Sequence, residues 1–394
     1  MLPLENIKIL DLSRLAAGNM VSHMFADFGA DVVKVEKPGK GDDLRNWKIN
    51  GISHWWAVYS RNKRSISIDL KKDEGLALLK ELVKSADVFI ENFVPGTLEK
   101  WGIGPEQLAE LNKNLIILRI SGWGQTGIFK NAPGFGSLVE GMSGFAAMTG
   151  EEKQSPLLPP LALADMVAGL TGFGAILMAI LTSKKDNTGG QVIDLSLFEP
   201  FFSILGPWAA SYKISGKVPE RIGNRSNVAA PRGIYKTKDN KYVSLSASMQ
   251  SMWEKLALTI GSSDLIKDPR FLTNSDRLNN QDDLDKPISK FIKQYSREEV
   301  LNIFSKEGIT VGPVLDISEI IEHPYIQDRE VLIDHYNREY GNVLMHQAFP
   351  RLSKTPGKIR HSAPSLGGDT DLVLKEIGIS EKQIQMLRKN KIIN

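Results

Sequence analysis

The chain has 394 residues, with 49 Lys plus Arg against 46 Asp plus Glu, and no cysteine. At 42% hydrophobic and 24% charged it is long enough for a large core divided between two domains, and it lacks the composition of a disordered or low-complexity chain. A net charge of +3 with interspersed acids and bases excludes a dedicated nucleic-acid binder, and the missing thiols exclude disulfides, thiolate metal sites and cysteine nucleophiles.

The 6 histidines are scattered without a ligand spacing, so no metal is expected and catalysis falls to carboxylates, hydroxyls, lysines or backbone amides. Met1 to Lys8 has no charged segment leading into an apolar one, so no secretory signal is read there. Residues 166–181 form the most apolar window. Interrupted by Gly and Thr and shorter than the roughly 20 residues a bilayer needs, it reads as a deeply buried helix of a cytoplasmic protein without a membrane partner.

In chain order, Ile7–Leu12 reads as a buried strand, Ala16–Phe28 as a helix closed by Gly29, and Asp31–Glu36 as a second strand. Ser65–Leu70, Val88–Glu91 and Leu115–Ile120 continue as strands, with an amphipathic helix over Asp73–Ser85. Strands alternating with helices predict an α/β fold with a mostly parallel sheet, whose ligands gather at the carboxyl ends of the strands. A nicotinamide-dependent dehydrogenase is the first competitor, because Glu36 stands where a ribose-binding acid would. The turn Ser13–Asn19 argues against it, with Gly18 alone where the dinucleotide fingerprint needs three glycines.

After Pro200 the pattern changes. Residues 200–225, rich in Gly, Pro and charge, read as a linker; Gly233–Thr237 and Tyr242–Ser246 read as a hairpin, followed by a helix over Met249–Ile260. The expected division is a large domain over 1–199, a smaller α+β domain over 226–320, and a return over 321–394 in which 330–394 completes the large domain.

Asp165 opens the apolar helix and has two readings. It is an N-cap, its oxygen taking first-turn amides, or a nucleophile held by those amides and by the positive end of the helix dipole. The residues around it leave both open. Further cues fall where strands end: Asn62-Lys63-Arg64-Ser65, Glu91-Asn92-Phe93, and Ser121-Gly122-Trp123-Gly124-Gln125. The stretch 34–72 adds Lys37, Lys40, Arg45, Lys48, Arg61, Lys63, Arg64 and Lys71, cations suited to a polyphosphate or to a solvated surface.

Together with Ala26–Glu36, Thr188–Asp194, Arg221–Asn224, Ala230–Gly233 and Gly312–Val314, these segments resemble, nearly end to end, the class III coenzyme A transferases. That group contains formyl-CoA transferase, carnitine CoA-transferase and succinyl-CoA:glutarate CoA-transferase. The resemblance implies a Rossmann-like large domain built from both chain ends, an interlocked homodimer, and Asp165 as the nucleophile. It implies covalent catalysis through aspartyl anhydride and aspartyl-CoA thioester intermediates, with acyl-CoA and a carboxylic acid as substrates.

Carried over by position, CoA contacts fall on Leu15, Ala17, Lys37, Ile68, Lys71, Asn92, Phe93 and Lys100. At Lys37 and Lys100 relatives often carry Arg, which holds phosphate bidentately. Ala16 replaces the glutamine of formyl-CoA transferase and its tetraglycine loop is missing, which argues against oxalate chemistry. The α-methylacyl-CoA racemases of the same superfamily need an imidazole where this chain has Gly134-Phe135-Gly136-Ser137. Glu140 reads as a surface residue, with acyl contacts from it or from Ser137 left open. Overall likeness points to succinyl-CoA with a dicarboxylate acceptor.

Overall fold

The computed structural model describes residues 1–186 and 188–394. They form two compact units, one of residues 1–144, 159–207 and 327–394, the other of 145–158 and 208–326.

Six parallel strands build the sheet of the first unit: β1 (Lys8–Asp11), β2 (Asp31–Glu36), β3 (Arg64–Ser67), β4 (Val88–Glu91), β5 (Ile116–Ser121) and β6 (Val192–Ser196). Their order is β3-β2-β1-β4-β5-β6, with Leu10 of β1 facing Val33 of β2 on one side and Phe89 of β4 on the other. The central strands are near-continuous Ile, Leu and Val because both faces are covered. The chain winds outward through β2 and β3, then returns to start again at β4, so a crevice opens at the carboxyl ends of β1 and β4.

The strand expected over Ser65–Leu70 stops at Ser67. Beyond it the Ile68 amide donates to Glu36 O (2.9 Å), and the Asp69 amide turns away to Ile392 O (2.8 Å) in the carboxyl-terminal segment. Helix Leu15–Asp27 is buried from Ala16 to Asp27 and supports helix Leu163–Asp186. Gly169 and Gly172 permit this contact, since a Cβ at either would stand 2.6 Å from Met20 Cβ or 2.9 Å from Val21 Cγ2.

The long helix differs from the expectation of deep burial. It spans 24 residues, is long and apolar enough to cross a membrane, and has only 33% of its most apolar window buried. Leu170, Met178 and Leu181 face outward. An apolar run reports hydrophobicity all round a helix, while the small residues alone mark the side that meets a neighbour within the chain.

Half of the cations expected to receive phosphate, Arg45, Arg61, Lys63 and Arg64, are instead committed to the fold. Arg61 is fully buried, giving Asp27 two hydrogen bonds (2.6 and 3.1 Å) and His346 O another (2.6 Å). Asn62 bridges Asp27 Oδ1 and Lys358 O, and Arg64 pairs with Asp31 and Glu376. Residues 61–64 thus clasp the carboxyl-terminal return, whose hairpin is β10 (Leu332–Asn337) and β11 (Gly341–His346).

The second unit packs an antiparallel sheet of β7 (Arg232–Lys236), β8 (Tyr242–Ser246) and β9 (Val311–Pro313) against helices including Gln250–Thr259, Gln281–Ile292 and Arg297–Lys306. Trp253, Phe271, Phe304, Val243 and Leu245 form its core. Two departures from the expected division follow. Residues 145–158 belong to this unit, and the segment 200–225 read as a linker carries helix Trp208–Ser215 and most of helix Phe198–Ser203. Glycine and charge at the flanks masked these short helical turns.

One buried group makes the first unit acid-sensitive. His23 is fully buried, and among the described residues neither ring nitrogen has a hydrogen-bond partner. Burial pushes its pKa down to about 3, Asp27 opposing and Arg61 reinforcing the shift. The unfolded chain takes this proton as pH falls below the ordinary 6.5 while the folded chain refuses it. Stability is therefore whole above that value and falls toward about 3, by up to ~1.4 kcal/mol per pH unit. Urea midpoints measured from neutral to mildly acidic pH are expected to drop more steeply for the native chain than for His23→Phe.

Candidate active site

The loops after β1 and β4 meet at the switch point. The Arg14 amide donates to Asn92 Oδ1 (2.8 Å) and Asn92 Nδ2 donates back to Arg14 O (2.7 Å), so this Asn is a clasp between loops. Leu15 follows at φ +61°, a left-handed conformation costly for a branched side chain, and opens helix Leu15–Asp27. The first amides of that helix have no acceptor within it: that of Leu15 turns inward to Asp42 Oδ1 (2.9 Å), while Ala17 lines the crevice.

Asp165 lines the same crevice, and the Ala17 amide, with the residue's own, favours the ionised form of its carboxylate. It is not an N-cap: helix Leu163–Asp186 begins two residues earlier, and Met166 N already donates to Ala162 O (3.0 Å). The carboxylate lies at two helix amino termini, its own and that of Leu15–Asp27, where partial positive charge favours an anion.

Glu140 is a correction to the sequence reading. It is buried rather than on the surface, on helix Gly136–Met142, and its Oε1 accepts the Ala164 amide (3.1 Å), so this residue satisfies the first turn of the Asp165 helix. Burial together with the Glu140 charge pushes the Asp165 carboxyl up to about 6, against the two amides that lower it. Replacing Glu140 by Gln keeps the acceptor and removes the charge. The acidic limb of the pH–rate profile is then expected to move down from about 6, by up to about one unit.

Two cavities lie over this end of the sheet. One, of about 420 Å³, is lined by Asp165, Leu15, Ala17, Asn92, Phe93, Trp123 and Lys130 among others. The second, of about 320 Å³, is lined by Lys37, Lys40, Ile68, Lys71, Phe93 and Trp101 among others. Arg14 and Phe93 belong to both walls. The Arg14 guanidinium stands 5.4 Å from the Phe93 ring centre, and Trp101 meets that ring edge-on at 5.1 Å.

Of the residues expected to touch CoA, seven therefore line this pair of cavities. Lys100 lines neither and is exposed at the end of helix Thr97–Lys100. Glu36, the acid a dehydrogenase would use, is fully engaged: Arg45 (2.7 Å twice), the Asp42 amide (2.8 Å) and Ser65 Oγ (2.5 Å) occupy its oxygens. The sequence assigns no site role to Arg14 or Gly136, and Glu140 reads there as a surface residue with an acyl contact left open. Their only sequence signals were a cation in the first loop and, for the other two, spacing of one helical turn.

A half-buried carboxylate near helix-start amides, in a divided crevice with a cationic and aromatic rim, can attack a carbonyl and hold the resulting acyl group away from water. This is the equipment of a CoA-transferase. The chain belongs to CoA-transferase family III, whose model matches residues 4–370. It is 35% identical, over 99% of its length and 98% of the relative's, to a succinyl-CoA–D-citramalate CoA-transferase of Chloroflexus aurantiacus. It is 32% identical to the human succinyl-CoA:glutarate CoA-transferase, over 95% of this chain and 86% of that one. A CaiB/BaiF family crystal structure from Brucella suis superposes with a TM-score of 0.84 at 32% identity, covering 95% and 99% of the two chains.

Proposed function

We propose that this enzyme moves CoA from an acyl-CoA to a free carboxylic acid with Asp165 as the covalent nucleophile. The observation that carries this reading is the Asp165 carboxylate beside Ala17 in the wall of a cavity that shares Arg14 and Phe93 with a second, lysine-rimmed one. The carboxylate attacks the thioester carbonyl; the C–S bond breaks, leaving an aspartyl anhydride and CoA thiolate. The thiolate attacks the aspartyl carbonyl, releasing the donor acid and forming an aspartyl-CoA thioester. The acceptor carboxylate displaces the thiolate to form a second anhydride, and thiolate attack on the acceptor's carbonyl regenerates Asp165. No general base is required, because a carboxyl near 6 is largely ionised at neutral pH and a thiolate leaves unprotonated.

In this reading adenine and phosphates take the Lys37–Lys71 cavity and pantetheine passes Asn92 and Phe93. The donor is succinyl-CoA and the acceptor a dicarboxylate. Relatives named for succinyl-CoA with D-citramalate and glutarate support this, as do Arg14 and Lys130, two cations on the Asp165 cavity. The outward apolar face at Leu170, Met178 and Leu181 supports a homodimer.

Incubation with succinyl-CoA, acid quench, proteolysis and mass spectrometry tests the mechanism. A hydroxylamine-labile CoA adduct is expected on the peptide holding Asp165, and an adduct on any other residue refutes it. A panel of acceptors tests the substrate class, which falls if only monocarboxylates exchange.

A further inference from the structure

Beneath the Leu15 turn lies a buried set of charges that the chemistry above does not use. Asp42 is 2% exposed, yet it keeps four polar partners. Its Oδ1 accepts the amides of Leu15 (2.9 Å) and Leu44 (2.8 Å); its Oδ2 accepts Asn19 Nδ2 (2.7 Å) and lies 3.0 Å from Lys34 Nζ, itself fully buried. Asn19 Nδ2 also donates to Leu15 O (2.7 Å). Asp42 thus holds Leu15 by its amide directly and by its carbonyl through Asn19.

Leu15 is the residue that needs holding. At φ +61° it occupies a region that branched side chains leave unless surrounding contacts over-determine them. Two residues on, Ala17 lines the cavity together with Leu15 and Asp165, and its amide favours the ionised carboxylate. One helix amino terminus therefore stands between two carboxylates, Asp42 taking the Leu15 amide from the interior and Asp165 lying on the cavity side, where the Ala17 amide favours its charge. A turn of the Leu15 backbone would re-aim the second amide.

We propose that Asp42 is a positioning residue: by clamping the Leu15 turn it keeps the Ala17 amide aimed at the Asp165 carboxylate, and at the acyl oxygen that replaces it during turnover. Lys34 makes this possible by neutralising the buried carboxylate, which otherwise would be costly so deep in the fold. The proposal rests on the reading of Asp165 as nucleophile.

Asp42→Asn tests it. The substitution keeps size but turns an NH2 group toward the Asn19 amide or Lys34, loosening one side of the clamp. With folding checked by thermal unfolding and by CoA binding, kcat is expected to fall about tenfold or more, with KM for acyl-CoA nearly unchanged. The acidic limb of kcat/KM should rise above about 6, by roughly half a unit to one unit, as an amide donor to the anion is lost. Adding Leu15→Gly to Asp42→Asn should recover most of both changes, because glycine takes the left-handed turn without a clamp.

A folded Asp42→Asn variant with native kcat and an unmoved acidic limb overturns the proposal. So does a loss of kcat with no shift of that limb and no recovery on adding Leu15→Gly, since that pattern marks a merely structural residue. If Asp42→Asn does not fold, Asn19→Ser, which removes the carbonyl half of the clamp along with the Oδ1 acceptor of buried Lys63 (2.9 Å), is read by the same two measurements with a smaller expected shift. Persistence of turnover in Asp165→Ala would sink the nucleophile reading instead, a separate outcome.

Discussion

Asp165→Asn is expected to lose turnover by a factor on the order of 10⁴ or more while binding acyl-CoA within a few-fold of the native protein. The side-chain amide has the size of the carboxylate, so the cavity keeps its shape, but it lacks the charge to attack a thioester. No other carboxylate can take over, because the nearest, Glu140, is committed to the Ala164 amide. The same variant should be more stable. The carboxyl titrates near 6 in the folded chain against an ordinary 3.8, so its contribution to stability is full below the lower value and lost as pH rises through the higher. At neutral pH the ionised, half-buried group costs up to ~2 kcal/mol after allowance for solvent screening. Single-turnover kinetics and a thermal melt on one preparation check both halves, and a variant that is inactive but also less stable would contradict the electrostatic account.

Gly136→Ala is expected to lower kcat about a hundredfold with little change in KM for acyl-CoA. A Cβ there would stand 2.5 Å from Asp165 Oδ2 and 3.8 Å from Ala164 Cβ. No carbon and oxygen approach so closely, so the carboxylate must swing off the Ala17 amide or the helix start must shift. Gly136 has no positive φ, so the added methyl costs nothing through backbone conformation and acts only through this contact. Gly141→Ala is the control. It lies on the same helix with open space around the added carbon and should leave kinetics unchanged. Equal effects at the two positions would mean that helix stiffness, rather than the place of the carboxylate, is what alanine perturbs.

Much of the large sheet is legible in the residues. Strands β1, β2, β4 and β5 are short Ile, Leu and Val runs buried on both faces, and such runs declare themselves without a partner. β6 is different: Val192 and Asp194 are exposed at the sheet edge, so its sequence carries no continuous apolar signal. The cationic stretch 34–72 shows the limit of composition. Lys37 and Lys71 line a cavity, whereas Arg61, Lys63 and Arg64 sit among internal partners, and charge along a chain does not say which way a side chain turns.

For the site itself, the sequence alone determined that an isolated carboxylate opens an apolar helix, that no thiol or histidine set competes with it, and that its surroundings resemble the CoA-transferases. Those are properties of residue identity and local spacing. Only the tertiary structure decided what grips that carboxylate. Ala17, more than a hundred residues away in the chain, shares its cavity, Gly136 leaves it room, and burial together with Glu140 raises its pKa. A backbone amide looks the same in every sequence and a missing Cβ matters only against a neighbour, so neither can be read before the chain has folded around Asp165.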